Sequence, residues 1–331
     1  MNADNPVTVI YHADCPDGFG SAYAAWLRFG DNAVYRGMHH GQPWKIDEIA
    51  GHHVFVLDFS FSPEVLEAMA RVACSVTQID HHVSARKPWA DRLVRGEDGR
   101  ETWRDPARPL TVVFDLDKSG VHLAWEHFHA PQPLPLILAH IEDLDLWRFA
   151  LPSTRIVARA LRLLPYDFAA WDELVRAAAD ADAARYKALL VEGEAIERFF
   201  ENEVDRLAHS RLVAPACLRG EPVDLLQAQR HGLPVLVDGD LAWRRVDGLA
   251  INADTLFASE LGNRLADQGG SFALVWQLAA DGEVKASLRA AGTVDVAEIA
   301  ARYGGGGHAN AAGFRLPLAR FAREVLSHTS E

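Results

Sequence analysis

The first half of the chain alternates short apolar runs with amphipathic stretches. Val7-Thr8-Val9-Ile10-Tyr11 reads as a buried strand, because the run is short, β-branched in part and bounded by polar residues. After a polar turn, Ala22, Ala25, Trp26 and Phe29 recur at helical spacing. Val54-Phe55-Val56-Leu57 predicts a second strand, Val76-Thr77-Gln78-Ile79 a third, and Leu110 to Phe114 a fourth. Between the second and third, Ser62-Pro63 opens a helix through Val65, Leu66 and Met69, with serine as the cap and proline at the first helical position. Strands that alternate with helices predict a parallel α/β sheet.

From Thr154 to Ser210 the pattern is helical, rich in alanine, leucine and glutamate, with no strand signal. Beyond Leu212 it becomes mixed again. Phe272 to Leu278 and Val284 to Leu288 resemble paired strands around Asp281-Gly282, Val296 to Tyr303 a helix, and Gly313 to Leu316 a closing strand. The expected fold class is therefore α/β: a parallel-sheet N-terminal domain over residues 1–153, a helical connector over 154–210, and a smaller mixed α/β domain over 211–331.

A chain of 331 residues suits about two domains. Its 49% hydrophobic and 24% charged content is that of a globular protein and excludes a disordered or collagenous chain. No apolar run is long enough for a membrane helix, so no membrane partner is expected, and Met1 to Pro6 lacks the basic flank and apolar stretch of a secretory leader. Cys15, Cys74 and Cys217 are too scattered for a disulfide framework or a C-x-x-C zinc site, which makes a reducing cytoplasm the simplest setting. The net charge of −13 argues against a general nucleic-acid coat, but it leaves room for a phosphate held beside metal ions.

The acids fall at the ends of elements. The first strand runs into His12-Ala13-Asp14-Cys15-Pro16-Asp17-Gly18, the second into Asp58, and the third into Asp80-His81-His82. The apolar segment Leu134 to Ile141 runs into Glu142-Asp143-Leu144-Asp145. Taken singly, the groups can also be read as an Asx-rich capping turn, a capping aspartate, a solvated loop and, for Glu142, Asp143 and Asp145, a solvated helix end. Together they would bring carboxylates and imidazoles to the carboxyl edge of a parallel sheet, where sites form. Oxygen ligands suit hard divalent cations, imidazole suits manganese or iron as well, and two adjacent metals need several carboxylates. Rival chemistries fail on spacing: Ser21 stands where a C-x5-R phosphatase loop needs arginine, and Tyr23 where a dinucleotide fingerprint needs its third glycine.

Near the C-terminus, Tyr303-Gly304-Gly305-Gly306-Gly307-His308 precedes Ala311-Ala312-Gly313-Phe314. Gly305, Gly306 and Gly307 would let backbone N–H groups approach a phosphate, and His308 would add a directed donor. The small residues Ala309, Ala311 and Ala312 suggest a tightly packed helix or turn behind this loop, and Ser287 and Arg289 have the alternate spacing to face the same ligand.

On these motifs, the chain resembles the DHH phosphoesterases over nearly its whole length. Asp80-His81-His82 is their signature triplet, His12 to Gly18 resembles their first motif, Asp58 their second and Asp143 their fourth. Gly304 to Phe314 resembles the G-G-G-H-x-x-A-A-G-F run of the DHH-associated C-terminal domain. The resemblance implies two manganese ions, with magnesium or cobalt as substitutes, held by His12, Asp14, Asp17, Asp58, His81 and Asp143, and Asp58 as the bridge. It implies that Asp80 orients a histidine, that His82 acts at the scissile phosphate, and that His308, Arg289 and Gly305 to Gly307 grip another phosphate. One departure is that Cys15-Pro16 separates Asp14 from Asp17, one residue more than H-x-D-x-D-G has, which leaves open which of the two aspartates holds which metal.

The function so implied is a cytoplasmic, manganese-dependent phosphodiesterase. It would cut short RNA or DNA oligonucleotides or dinucleotides to nucleoside monophosphates, with a homodimer as a candidate assembly. A nucleoside 3′-phosphate phosphatase and a cyclic-dinucleotide phosphodiesterase are the nearest rivals, and a nucleotide-binding protein with a degenerate metal site is the reading from another class. The acidic charge and the shortage of lysine favour a short substrate over a long strand.

Overall fold

A computed structural model describes residues 5–39, 41–180, 183–268, 271–290, 292 and 294–326. Met1 to Asp4, part of the segment tested for a leader, lie outside the described residues. The chain folds as two compact units, Met1–Arg198 and Phe199–Glu331.

In the first unit, β1 (Val7–His12), α1 (Pro16–Phe29), β2 (Ala33–Met38), β3 (His53–Leu57), α2 (Pro63–Val72) and β4 (Ser75–Asp80) follow one another. Next come α3 (Val83–Arg86), β5 (Val94–Arg95), β6 (Glu101–Arg104), β7 (Leu110–Phe114), α4 (Gly120–His129) and α5 (Leu136–Asp145). Helices α6 (Thr154–Leu161), α7 (Phe168–Ala178) and α8 (Ala184–Ser210) complete the helical stretch, and α8 runs on past the boundary between the units.

The sheet order is β2-β1-β3-β4-β7-β6-β5. It is parallel from β2 to β7 and antiparallel beyond. Strand β3 is apolar from Val54 to Leu57 and buried throughout because both faces are covered. Phe55, Leu57 and Ile79 join one core with Phe19, Leu123, Ile141, Val157 and Trp171 from the helices. Val54, Val56 and Val76 join the other with Leu66, Met69 and Trp89. Each such aliphatic side chain, fully buried, contributes about 1.5–3 kcal/mol.

The second unit carries β8 (Val213–Pro222), α9 (Leu225–Arg230), β9 (Val235–Asp238), β10 (Leu241–Asn252), α10 (Ala258–Ala266), β11 (Ala273–Leu278), β12 (Glu283–Arg289), α11 (Val296–Ala301), β13 (Gly306–His308), β14 (Ala311–Pro317) and α12 (Leu318–Phe321). Its sheet runs β13-β14-β12-β11-β10-β8, with β9 on β10, and is antiparallel except for the β10–β11 pair. Val284, Ala286 and Leu288 on β12 pack with Val296, Ile299 and Phe314.

The α/β class holds in both units, as do the four strands and the 63–72 helix expected in the first, and the paired strands around Asp281-Gly282 in the second. Strands β2, β5, β6, β8, β9, β10 and β13 add to that reading. Leu134 to Ile141 leads into α5, so Glu142, Asp143 and Asp145 stand at a helix end. Of the helix or turn expected behind the glycine run, the structure has the turn: Ala309 and Asn310 join β13 to β14.

Candidate metal and phosphate site

Strands β1 and β3 are neighbours, and the chain leaves their carboxyl ends towards opposite sides, β1 crossing to β2 and β3 to β4. A crevice opens at such a reversal of strand order. Into it β1 delivers His12, the start of α1 delivers Cys15 and Asp17, and the residue after β3 is Asp58. Strand β4 ends in Asp80, followed by His81 and His82.

Asp58 holds a left-handed backbone, φ 49°, an uncommon state for a non-glycine residue and one that clusters at functional sites. Its N–H still donates to the Ile79 carbonyl at 3.1 Å, so the ladder to β4 carries the side chain into the crevice. A methyl group at Gly120, the first residue of α4, would lie 2.5 Å from Asp58 Cβ, so only glycine admits this approach. At Gly18 it would lie 2.2 Å from the His12 carbonyl oxygen, which explains the glycine that closes the first motif.

His81 Nε2 lies 3.2 Å from Asp58 Oδ1, 3.5 Å from Asp17 Oδ2 and 3.5 Å from Asp145 Oδ2. Three carboxylates from three elements thus surround one imidazole nitrogen. Asp17 is further fixed by the backbone N–H groups of Gly120 and Val121, which donate at 2.7 and 2.9 Å. Asp58 Oδ1 is a buried oxygen that accepts no hydrogen bond in suitable geometry. Burial first, and the neighbouring Asp17, push the Asp58 carboxyl well up, and the same two causes raise Asp145 to about 7. A crowd of mutually repelling carboxylates with an unsatisfied buried oxygen is what a divalent cation relieves, so the donor set fits the implied metal.

Asp80 acts differently. Its oxygens accept from the His81 N–H at 2.7 Å, from His82 Nδ1 at 2.7 Å and from the Ser60 hydroxyl. Burial would raise its carboxyl, but the charge and hydrogen bond of His82 carry it below the usual range. In return, although burial lowers it, Asp80 lifts His82 to about 9. The residue oriented by Asp80 is therefore His82.

Of the residues expected as ligands, the structure gathers His12, Asp17, Asp58 and His81. Asp14 stands apart, 79% exposed, with φ 54° and its carboxylate 3.3 Å from His39 Nε2. Asp143 is committed elsewhere. It accepts from the N–H groups of Ala150 and Leu151 at 2.8 and 3.0 Å and from the Thr154 hydroxyl at 2.6 Å, and so pins the turn after α5. The residues added to the cluster are Asp145 and Cys15, which groups with His12 and Asp58.

In the second unit the glycine run divides. Gly304 at φ 81° and Gly305 close α11, their N–H groups donating to Ala301 and Ala300 at 3.1 and 2.9 Å. Gly306, Gly307 and His308 form β13 against β14. A Cβ at Gly305 would meet the Gly313 carbonyl oxygen at 2.0 Å. Arg289, Ala311 and His308 lie opposite one another across β12, β14 and β13, which sets their side chains on one face with the small alanine between. Arg289 donates to the Ser259 hydroxyl and to the Leu288 carbonyl, both at 2.7 Å.

Residues 250–330 match the DHHA1 domain. The second unit carries a DHHA1 domain. It takes in the end of β10 and the elements from α10 to α12, including the glycine run, Arg289 and His308. Over 331 aligned positions, 95% of this chain and 68% of the relative, the sequence is 26% identical to the uncharacterized protein R106 of Acanthamoeba polyphaga mimivirus. An uncharacterized protein from Helicobacter pylori G27 has a crystal structure 15% identical to this chain, with a TM-score of 0.40, covering 94% of this chain and 93% of the other. A pGpG-specific phosphodiesterase, PggH from Vibrio cholerae, is 11% identical with a TM-score of 0.42, covering 96% of this chain and 95% of its own.

Proposed function

We propose that the chain is a metal-dependent phosphodiesterase of the DHH type, acting on short oligonucleotides or dinucleotides and yielding nucleoside monophosphates. The observation that carries this reading is the cluster centred on Asp58 and His81, in which Asp17, Asp58 and Asp145 come within 3.5 Å of one imidazole nitrogen. The DHHA1 domain supports it from the other unit. His12, Asp17, Asp58, His81 and Asp145 would hold divalent metal, with Asp58 shared, since it joins His12 and Cys15 in one group and His81 and His82 in another. Manganese is the expected ion because imidazole and carboxylate are mixed. When bound, the metal neutralises the phosphate and lowers the pKa of the attacking water.

The chain's own groups do the rest. His82, held through Nδ1 by Asp80, which favours its protonated form, would stabilise the phosphate and give a proton to the leaving oxygen. The row Arg289–Ala311–His308 would bind a phosphate, and the glycines allow the backbone to come close.

The test is hydrolysis of defined dinucleotides, cyclic dinucleotides, nucleoside bisphosphates and RNAs of two, five and twenty nucleotides, with manganese and with excess chelator. Manganese-dependent turnover that falls as the strand lengthens is expected, because a charge of −13 opposes a long polyanion. Full turnover in chelator would remove the metal mechanism, and faster attack on the longest strand would remove the short-substrate reading. Binding of nucleotides without hydrolysis would make the protein a binding module.

A further inference from the structure

Cys15 has no part in the hydrolysis so proposed. It occupies the N-cap position of α1, yet its side chain makes no capping hydrogen bond to the helix. Instead its sulfur groups with a nitrogen of His12 and a carboxylate oxygen of Asp58, the donor atoms all within 4.8 Å of one another. His12 Nδ1 lies 3.8 Å from Asp58 Oδ2, while Asp58 Oδ1, buried and without a donor, faces the His81 side. The two oxygens of Asp58 therefore address two groups of donors, and only the one on the His12 side contains sulfur.

We propose that Cys15 is a thiolate ligand to the metal held by His12 and Asp58, so that one of the two positions bridged by Asp58 is a nitrogen–oxygen–sulfur site. This rests on the metal-dependent reading of the same cluster. On binding, the Cys15 S–H bond breaks, its proton goes to solvent and a sulfur–metal bond forms, with no change of oxidation state. The start of α1 favours an anion on that sulfur, since the unpaired N–H groups of a helix N-terminus carry partial positive charge. A thiol gives up its proton to ligate a metal, so binding and thiolate formation are linked. A soft thiolate shifts preference from manganese towards cobalt, zinc or iron at this position. The other position, built from oxygen and imidazole, keeps no such bias.

Cobalt(II) reports the bond directly. Titrated into the metal-free protein, it should give visible d–d bands together with an intense near-ultraviolet thiolate-to-cobalt charge-transfer band. Cys15→Ser should abolish the charge-transfer band and weaken cobalt at this position by at least about tenfold, with a smaller change for manganese, both read by calorimetry. The double variant Cys74→Ser/Cys217→Ser should retain the band, and it decides the matter if Cys15→Ser fails to fold. Cobalt binding with d–d bands but no charge-transfer band overturns the Cys15 assignment and leaves the metal reading standing. So does a band that survives Cys15→Ser or disappears in the double variant. A protein that takes up no cobalt overturns both.

Discussion

Asp143 and Asp145 stand two residues apart in the last turn of α5, which sets their side chains about 200° apart around the helix axis. One therefore turns to the 150–154 segment and the other to His81. The sequence shows an acidic group at this point, but the choice between its members depends on helical phase and on what each face meets, neither of which is legible without the fold. The same holds for Asp14 and Asp17. The start of α1 sends Asp17 inward to the N–H groups of Gly120 and Val121, over a hundred residues away, and leaves Asp14 in solvent. The two α5 positions separate cleanly by experiment. Asp145→Asn should lower metal affinity and kcat by at least about a hundredfold, because outer partners of a metal ligand already cost 10–100-fold. It should leave the melting temperature of the metal-free protein unchanged or higher, since a repelling carboxylate is gone. Asp143→Asn should instead cost about 1–3 kcal/mol of stability in chemical denaturation, by turning an amide towards backbone donors. A reversed pattern would return the ligand role to Asp143.

At the scale of elements, strong apolar runs are legible in the sequence and mixed ones are not. Strands β1, β3 and β7 stand out because burial leaves them few polar residues, whereas β4 is marked only by Val76 and Ile79 among polar neighbours. Strand β2 is an edge strand, half exposed, with Arg36 and Gly37 inside it. Strand β10 carries Arg244, Arg245, Asp247 and Gly248, and its burial is irregular. Gly248 is there because a Cβ would meet the Phe272 carbonyl oxygen at 2.4 Å, a contact between segments that no local pattern reveals. The glycine run at 304–307 shows the converse: it is conspicuous, but its division into a helix cap and a hairpin strand depends on its partners, α11 and β14. Element packing also carries a prediction. Gly120→Ala would place a methyl group 2.5 Å from Asp58 Cβ and 2.8 Å from Asp58 Oδ1, with α4 and β3 both held by the core. Overpacking of this kind costs about 1–3 kcal/mol, and here the group that must yield is the shared carboxylate. A lower melting temperature and a fall in metal affinity should appear together, the first by calorimetry and the second by metal titration. Wild-type metal affinity in this variant would show that Asp58 is not a ligand.

Over the whole molecule, the cluster makes stability depend on pH and metal together. An unfolded aspartate titrates near 3.9. Folded and metal-free, Asp145 titrates near about 7 and Asp58 is also raised, burial being the first cause for both. Between these values the native state binds more protons than the unfolded chain, so stability falls as pH rises from about 4 to about 7. His82 works in the same direction at higher pH. Its folded value of about 9 exceeds the usual 6.5 for histidine, so its contribution is complete below that usual value and is lost as pH rises through about 9. Asp80, lowered, contributes fully above the ordinary aspartate range and leaves the slope there untouched. The metal-free protein should therefore melt at progressively lower temperature from pH ~5 to pH ~9. A quarter of the Asp145 side chain is exposed, so solvent screening moderates its share. A divalent cation neutralises the carboxylates, displaces their protons and stabilises the folded state by mass action. Manganese should then raise the melting temperature more at pH ~8 than at pH ~5, and its apparent affinity should strengthen over the same interval. Thermal melts with and without manganese at several pH values, in one buffer ionic strength, measure that gap. A gap that stays constant with pH would mean that the carboxylates around His81 do not exchange protons for metal, and the cluster would lose its standing as the metal site.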